Sequence, residues 1–174
     1  MAIDPHIESA LAMPLLAMAF GTTAVAQTST APPVFGSHPV VANDQAAIRD
    51  MMASYNAALN KGDTAAVLPL YTKDGVFMPP YSRSAVGQDA VRKAYDDVFK
   101  ELMFNVKFDI AELVQMAPTW AYVRTDSAGS TAHASTGRTT SEANQELFIL
   151  QKGDDGMWRI ARYSFSPTNP PVGA

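Results

Sequence analysis

The sequence predicts an α+β domain. Three helix-period stretches come first, four long stretches with strand-like alternation follow, and the last two of these are joined by a turn that sets their register. Helices grouped before strands do not fit the alternating order that builds a parallel sheet.

The first helix is expected from Asp44, with Asn43 or Asp44 as its cap and Ile48, Met51, Met52, Tyr55, Ala58 and Leu59 on one stripe; Gly62 stands just past its end. Asp63 caps a second helix through Ala65, Ala66, Val67 and Leu70, kept short or kinked by Pro69, whose ring clashes with the preceding turn. Gly75 to Met78 reads as a brief strand stopped by Pro79-Pro80 and followed by a loop to Val86. Gln88 or Asp89 opens the third helix, whose Val91, Ala94, Tyr95, Val98, Phe99 and Leu102 are spaced to cover a sheet. Strands are expected from Asn105 to Met116 and from Trp120 to Thr131, with the polar stretch from Ala132 to Ala143 forming a long rim loop.

The closing stretch, Glu146 to Tyr163, is a β-hairpin. Asp154-Asp155-Gly156 suits a three-residue loop in which a type I turn is followed by glycine in the left-handed conformation. Setting Gly153 opposite Met157 pairs Lys152 with Trp158, Leu150 with Ile160 and Phe148 with Arg162. One face then carries Glu146, Phe148, Leu150, Trp158, Ile160 and Arg162, and the other Leu147, Ile149, Ala161, Tyr163 and Phe165. Both faces are largely apolar, so the sheet needs cover on both sides. An acid and a guanidinium on such a face are either a structural ion pair or the polar end of a pocket.

At 174 residues and 47% hydrophobic, the chain is long enough for one core and short for two. A net charge of -4 with no run of Lys or Arg provides no field for nucleic acid or a membrane surface. The absence of cysteine excludes disulfides, thiolate metal sites and a cysteine nucleophile. His6, His38 and His133 are dispersed, so no metal is expected, and no cofactor is called for. Ala10 to Phe20 is an uncharged apolar run too short to span a bilayer, and Ala24-Val25-Ala26 supplies the small-x-small pattern that precedes cleavage. Export to the periplasm or beyond is the expectation. The opening Met-Ala-Ile-Asp-Pro-His-Ile-Glu lacks the usual Lys or Arg, which leaves a retained apolar helix in a cytoplasmic protein as the alternative. The chain thus divides into a signal peptide at 1–26, a flexible linker at 27–42, a domain at 43–168 and a tail at 169–174.

The order of helix, Asn60-Lys-Gly-Asp63, helix, Leu70-Tyr-Thr-Lys-Asp-Gly-Val-Phe-Met-Pro79, Gly87-Gln-Asp-Ala-Val91 and four strands ending in Trp158-Arg-Ile-Ala-Arg-Tyr163 resembles the SnoaL-like and DUF4440 branch of the nuclear-transport-factor-2-like, or ketosteroid-isomerase-like, superfamily. The resemblance covers about residues 44 to 167. It implies a curved antiparallel sheet wrapped around the helices as a cone, a pocket at the open end, and a homodimer formed through the back of the sheet. Architecture of this kind hosts isomerases, hydrolases, cyclases and dehydratases as well as plain binding modules, so activity must come from the site. Where ketosteroid isomerases carry their two acids, this chain places Met78 and Phe148, neither of which can move a proton; the helix-one tyrosine is matched by Tyr55. Arg124-Thr-Asp126 is similar to the Arg-x-Asp of limonene-epoxide-hydrolase-like enzymes, whose second Asp falls at Arg162 here, with Glu146 as a substitute across the hairpin.

The candidate catalytic residues are therefore Tyr55, Arg124, Asp126, Glu146 and Arg162, joined around the pocket by Tyr122, Asn144 and Ser164. Phe77, Met78, Tyr95, Phe99, Trp120, Phe148 and Ile160 would supply an apolar wall for a small apolar molecule. The chemistry expected is cofactor-independent acid–base catalysis by an isomerase, dehydratase or epoxide hydrolase. The competing expectation is a ligand-binding or dimeric assembly module without turnover. Alternation alone leaves a second arrangement open, in which Ala121, Val123, Leu147, Ile149, Ala161, Tyr163 and Phe165 face inward and Arg124, Glu146 and Arg162 form an exposed ion-pair ladder.

Overall fold

The computed structural model describes residues 39–169; the expected leader, most of the linker and the last residues of the tail lie outside the described residues. Helix α1 spans Pro39–Lys61, beginning before the expected Asp44 cap, because a proline in the first turn has no amide that a helix would need. Gly62, in the left-handed conformation at φ 65°, ends it. Asp63 then accepts a hydrogen bond from the Ala66 amide at 2.9 Å and caps α2 (Thr64–Val67), which Pro69 shortens into a 3₁₀ turn over Leu68–Leu70.

Next come β1 (Tyr71–Met78), β2 (Ala85–Val86), α3 (Gln88–Glu101), β3 (Leu102–Ala117), β4 (Trp120–His133), β5 (Thr139–Lys152) and β6 (Trp158–Pro167). They form one sheet in the order β2-β1-β6-β5-β4-β3, antiparallel throughout except where β1 runs parallel to β6. That pairing, from Tyr71 opposite Ile160 to Met78 opposite Ser164, lengthens β1 beyond the brief strand expected. The stretch expected as a long rim loop is mainly strand. Thr139, Thr140 and Ser141 pair with Ala132, Thr131 and Ser130, and the last two are hydroxyl pairs, which sit comfortably across an antiparallel ladder.

Helices α1 and α3 lie on the inner face of the sheet. The core holds Ile48 and Tyr55 of α1, Val91 and Tyr95 of α3, and Val123, Phe148, Leu150 and Ile160 of the strands. At one end, Asp44 fastens α1 to three strands by accepting from Lys152 Nζ at 2.7 Å, Gln115 Nε2 at 3.1 Å and Trp158 Nε1 at 3.2 Å. Further along, Asn56 and Asn60, one turn apart, serve the free edge of β3: Asn60 donates to the Val106 carbonyl at 2.8 Å and accepts from its amide at 2.9 Å, and Asn56 donates to the same carbonyl at 2.9 Å. Where β3 and β4 press together, a Cβ on Gly129 would stand 2.1 Å from the Asn105 carbonyl oxygen, so only glycine fits that crossing.

The hairpin turn forms as expected, with Gly156 at φ 77° and Lys152 opposite Trp158, and Leu150 meets Ile160. The next pair departs from expectation. Ile149 lies opposite Arg162, leaving Ala161 as an unpaired extra residue, a β-bulge that exchanges the faces of everything beyond it. Phe148 therefore faces Tyr163, not Arg162, and Glu146 faces Phe165.

Candidate functional site

A cavity of about 520 Å³ opens between the inner face of the sheet, α1, α3 and the Pro79-Pro80-Tyr81 loop. Its wall is aromatic because the bulge at Ala161 turns Tyr163 and Phe165 inward beside Phe77. Phe77 stacks with Tyr95 at 5.0 Å and with Tyr163 at 5.4 Å between ring centres, and Tyr163 stacks on Phe148 at 4.1 Å. These near-parallel faces suit a flat or cyclic apolar molecule.

Glu146 is the acid in this setting. It is only 3% exposed, and its two oxygens accept hydrogen bonds from the hydroxyls of Thr125, at 2.5 Å, and Ser127. Burial pushes its carboxyl up to about 7 against the opposing pull of those two hydroxyls, so at neutral pH it can both take and return a proton. Strand pairing explains the trio: Thr125 lies directly opposite Glu146, and Ser127 lies opposite Asn144 on the same inner face.

Three phenols provide the matching donors. The Tyr71 and Tyr95 hydroxyls are 2.9 Å apart and those of Tyr95 and Tyr55 are 2.7 Å apart. Burial lifts all three well above their ordinary value, which keeps them protonated. Three O–H groups joined by two hydrogen bonds have one proton to spare. When Tyr71 donates to Tyr95 and Tyr95 to Tyr55, that proton is on Tyr55, which lines the cavity beside the Tyr163 hydroxyl, and the chain polarises it. Toward the rim, Glu142 accepts from Thr131 Oγ1 at 3.1 Å and from Asn144 Nδ2 at 2.9 Å.

Among the expected site residues, Tyr55, Phe77, Tyr95, Asn144 and Glu146 line the cavity. Phe148 and Ile160 are fully buried in the core, and Phe99 stands behind Tyr95 at 5.6 Å. The others require correction. Trp120, Tyr122, Arg124 and Asp126 alternate with the inward Ala121, Val123, Thr125 and Ser127 and so lie on the outer face. There Tyr122 donates to Glu112 at 2.6 Å, and Arg124 pairs with Glu112 at 3.3 Å and Asp126 at 3.8 Å. Arg162 and Ser164 are turned outward by the bulge, Arg162 reaching Asp74 at 3.7 Å, and Met78 shares the outer face with its partner Ser164. The Arg-x-Asp arrangement of the epoxide hydrolases thus cannot act on a ligand in the cavity. Neither expected arrangement of faces holds throughout, since Glu146 and Phe148 share the interior with Ala121, Val123, Tyr163 and Phe165. Thr125, Ser127, Thr131, Glu142, Tyr163 and Phe165 were not anticipated at the site. The inward run of small residues along β4 is the signal that could have found the two hydroxyls.

Among the described residues no group of three His, Cys, Asp or Glu side chains could hold a metal ion, and no helix is long and apolar enough to cross a membrane.

Comparison with known proteins agrees with the fold. The family model of the SnoaL-like domain matches residues 52–162, and the chain belongs to that family. A ketosteroid isomerase-like protein from Erwinia carotovora atroseptica is 39% identical, superposes with a TM-score of 0.70, and is matched over 72% of this chain and 96% of its own. A candidate scytalone dehydratase from Novosphingobium aromaticivorans is 18% identical with a TM-score of 0.65, over 75% of this chain and 87% of that one. A nuclear transport factor 2-like protein from Salmonella enterica is 16% identical with a TM-score of 0.65, over 76% and 96%. The last two show the fold alone: three helices within a curved, open six-stranded sheet, the cone expected from sequence. No curated protein matches the chain.

Proposed function

We propose that this protein is a cofactor-independent acid–base enzyme that moves a proton on a small, mostly apolar ring compound, as an isomerase or dehydratase does. The observation that carries this is Glu146, an acid held near neutrality inside an aromatic cavity that also receives the end of a phenol chain. Glu146 would take a proton from carbon next to a carbonyl, while Tyr55 donates a hydrogen bond to the oxygen on which charge develops. Return of the proton to a second carbon completes an isomerisation; transfer of that same proton from Glu146 to a β-hydroxyl, which leaves as water as the C–O bond breaks and the double bond forms, completes a dehydration. Relatives named as ketosteroid isomerase-like and as a scytalone dehydratase candidate support the same reaction class. Export, suggested by Ala10 to Ala26, and pairing of two copies through the outer sheet face belong to the same proposal.

The test is proton exchange. Cyclic ketones incubated with the protein in heavy water should take up deuterium at the α-carbon, and Glu146→Gln should slow this by about 10²-fold or more while the variant stays folded. Ligands that bind without exchange or conversion in a broad panel would instead establish a binding module without turnover.

A further inference from the structure

We infer that the rim of this cavity is a hydrogen-bond-acceptor subsite, built from Glu142 and Asn144, that favours ring compounds carrying a hydroxyl or ammonium group and rejects carboxylates. The inference rests on the ligand-binding function proposed above and adds the polar chemistry of the ligand. Strand alternation places Glu142, Asn144 and Glu146 on one inner face of β5, all three lining the cavity. The buried capacity they leave unfilled is an acceptor. Glu142 fixes the Asn144 amide by accepting from its nitrogen at 2.9 Å, which leaves Oδ1 as the amide's other end. Asn144 is only 8% exposed, and this Oδ1 is buried with no hydrogen-bond partner. A buried acceptor left unpaired is unfavourable until something donates to it.

Charge points the same way. Two carboxylates, one imidazole, that of His133, and no Lys or Arg are among the described residues that line the cavity. An acid entering here would meet like charge in a poorly solvated space, with no Lys or Arg to receive it. A hydroxyl or ammonium would instead donate to acceptors already in place, while the stacked rings of Phe77, Tyr163 and Phe165 take its apolar body.

Calorimetric titration of the full chain at about pH 8 with naphthalene, naphthol, naphthylmethylamine and naphthoate tests this, because the ring is constant and only the polar group changes. Naphthol, naphthylmethylamine or both should bind at least about tenfold tighter than naphthalene, and naphthoate at least about tenfold weaker. Naphthol alone gaining affinity would assign the subsite to hydroxyls, and the amine alone to cations. Naphthoate binding as tightly as naphthalene would overturn the subsite and leave the cavity intact. Failure of all four to bind would remove the ligand-binding function itself. In Asn144→Leu the naphthol-to-naphthalene affinity ratio should fall toward one. In Glu142→Gln the naphthoate-to-naphthalene ratio should rise. Ratios that stay unchanged in a folded variant would also overturn the assignment, and Glu142→Gln carries the test if Asn144→Leu does not fold.

Discussion

Glu146 and Asp44 are both buried carboxylates, yet their surroundings push them in opposite directions. For Glu146, burial outweighs two hydroxyl hydrogen bonds and raises the carboxyl from 4.5 to about 7. As pH rises through that interval the unfolded chain releases this proton while the native protein keeps it, so stability falls with rising pH, by about 3 kcal/mol in all. Thermal melts should show this loss between pH 4.5 and about 7, and Glu146→Gln should remove it. For Asp44, burial would raise the carboxyl, but hydrogen bonds from Lys152, Trp158 and Gln115 outweigh it and hold the group below its ordinary 3.8. Its contribution is therefore complete above that value and disappears as pH falls through the lowered native one. Asp44→Ala removes the acceptor of Lys152 and Trp158 and leaves Gln115 only its longer bond to the Pro118 carbonyl at 3.4 Å, and should cost about 3 kcal/mol at neutral pH, read from urea unfolding midpoints. Glu146 was legible in the sequence because it is an acid on an otherwise apolar strand face. Asp44 was legible only as a helix cap, since nothing local reveals that strands far along the chain supply its partners.

At the scale of elements, periodicity identified all three helices and the hairpin, because burial of one stripe or face imposes its period on the sequence. It could not identify which face of each strand is inside. On β4, Tyr122, Arg124 and Asp126 are larger and more chemically suggestive than Thr125 and Ser127, yet the small residues face inward because helices and aromatic rings fill the space above them. On β6 the difficulty is the bulge: Arg-Ile-Ala-Arg carries no turn signal, and one extra residue at Ala161 is enough to move Arg162 outside. Strand curvature left a clearer trace at Gly129. A methyl there would collide with the backbone of Asn105 and Val106, the latter at 2.8 Å from its Cα, and backbone cannot step aside as a flexible side chain can. Gly129→Ala should therefore destabilise the protein by about 2 kcal/mol or more in chemical denaturation. Because Val106 also lines the cavity and is clamped by Asn60, the same variant should weaken ligand binding.

For the whole molecule, the two apolar faces of the hairpin are resolved differently. Helices α1 and α3 cover the inner one; among the described residues no element covers the outer one. Trp120 is 37% exposed and Leu147 43%, and Tyr122 and Ile149 lie opposite each other on the same side of the sheet. Around them, Arg124 with Glu112 and Arg162 with Asp74 supply a charged margin. An apolar centre with a polar rim is the anatomy of a protein interface, and a two-fold pairing uses the same patch on both copies. We propose that two copies meet through this face, as the family resemblance implies. Sedimentation at micromolar concentration should then give twice the chain mass. Leu147→Lys should shift the equilibrium to monomers, because each copy would have to bury an unpaired ammonium at the centre of the contact. The side chain of Leu147 points away from the cavity, so a folded Leu147→Lys monomer should keep the donor preference proposed for Glu142 and Asn144. Monomeric wild-type protein under the same conditions would leave the outer face exposed and remove the dimer.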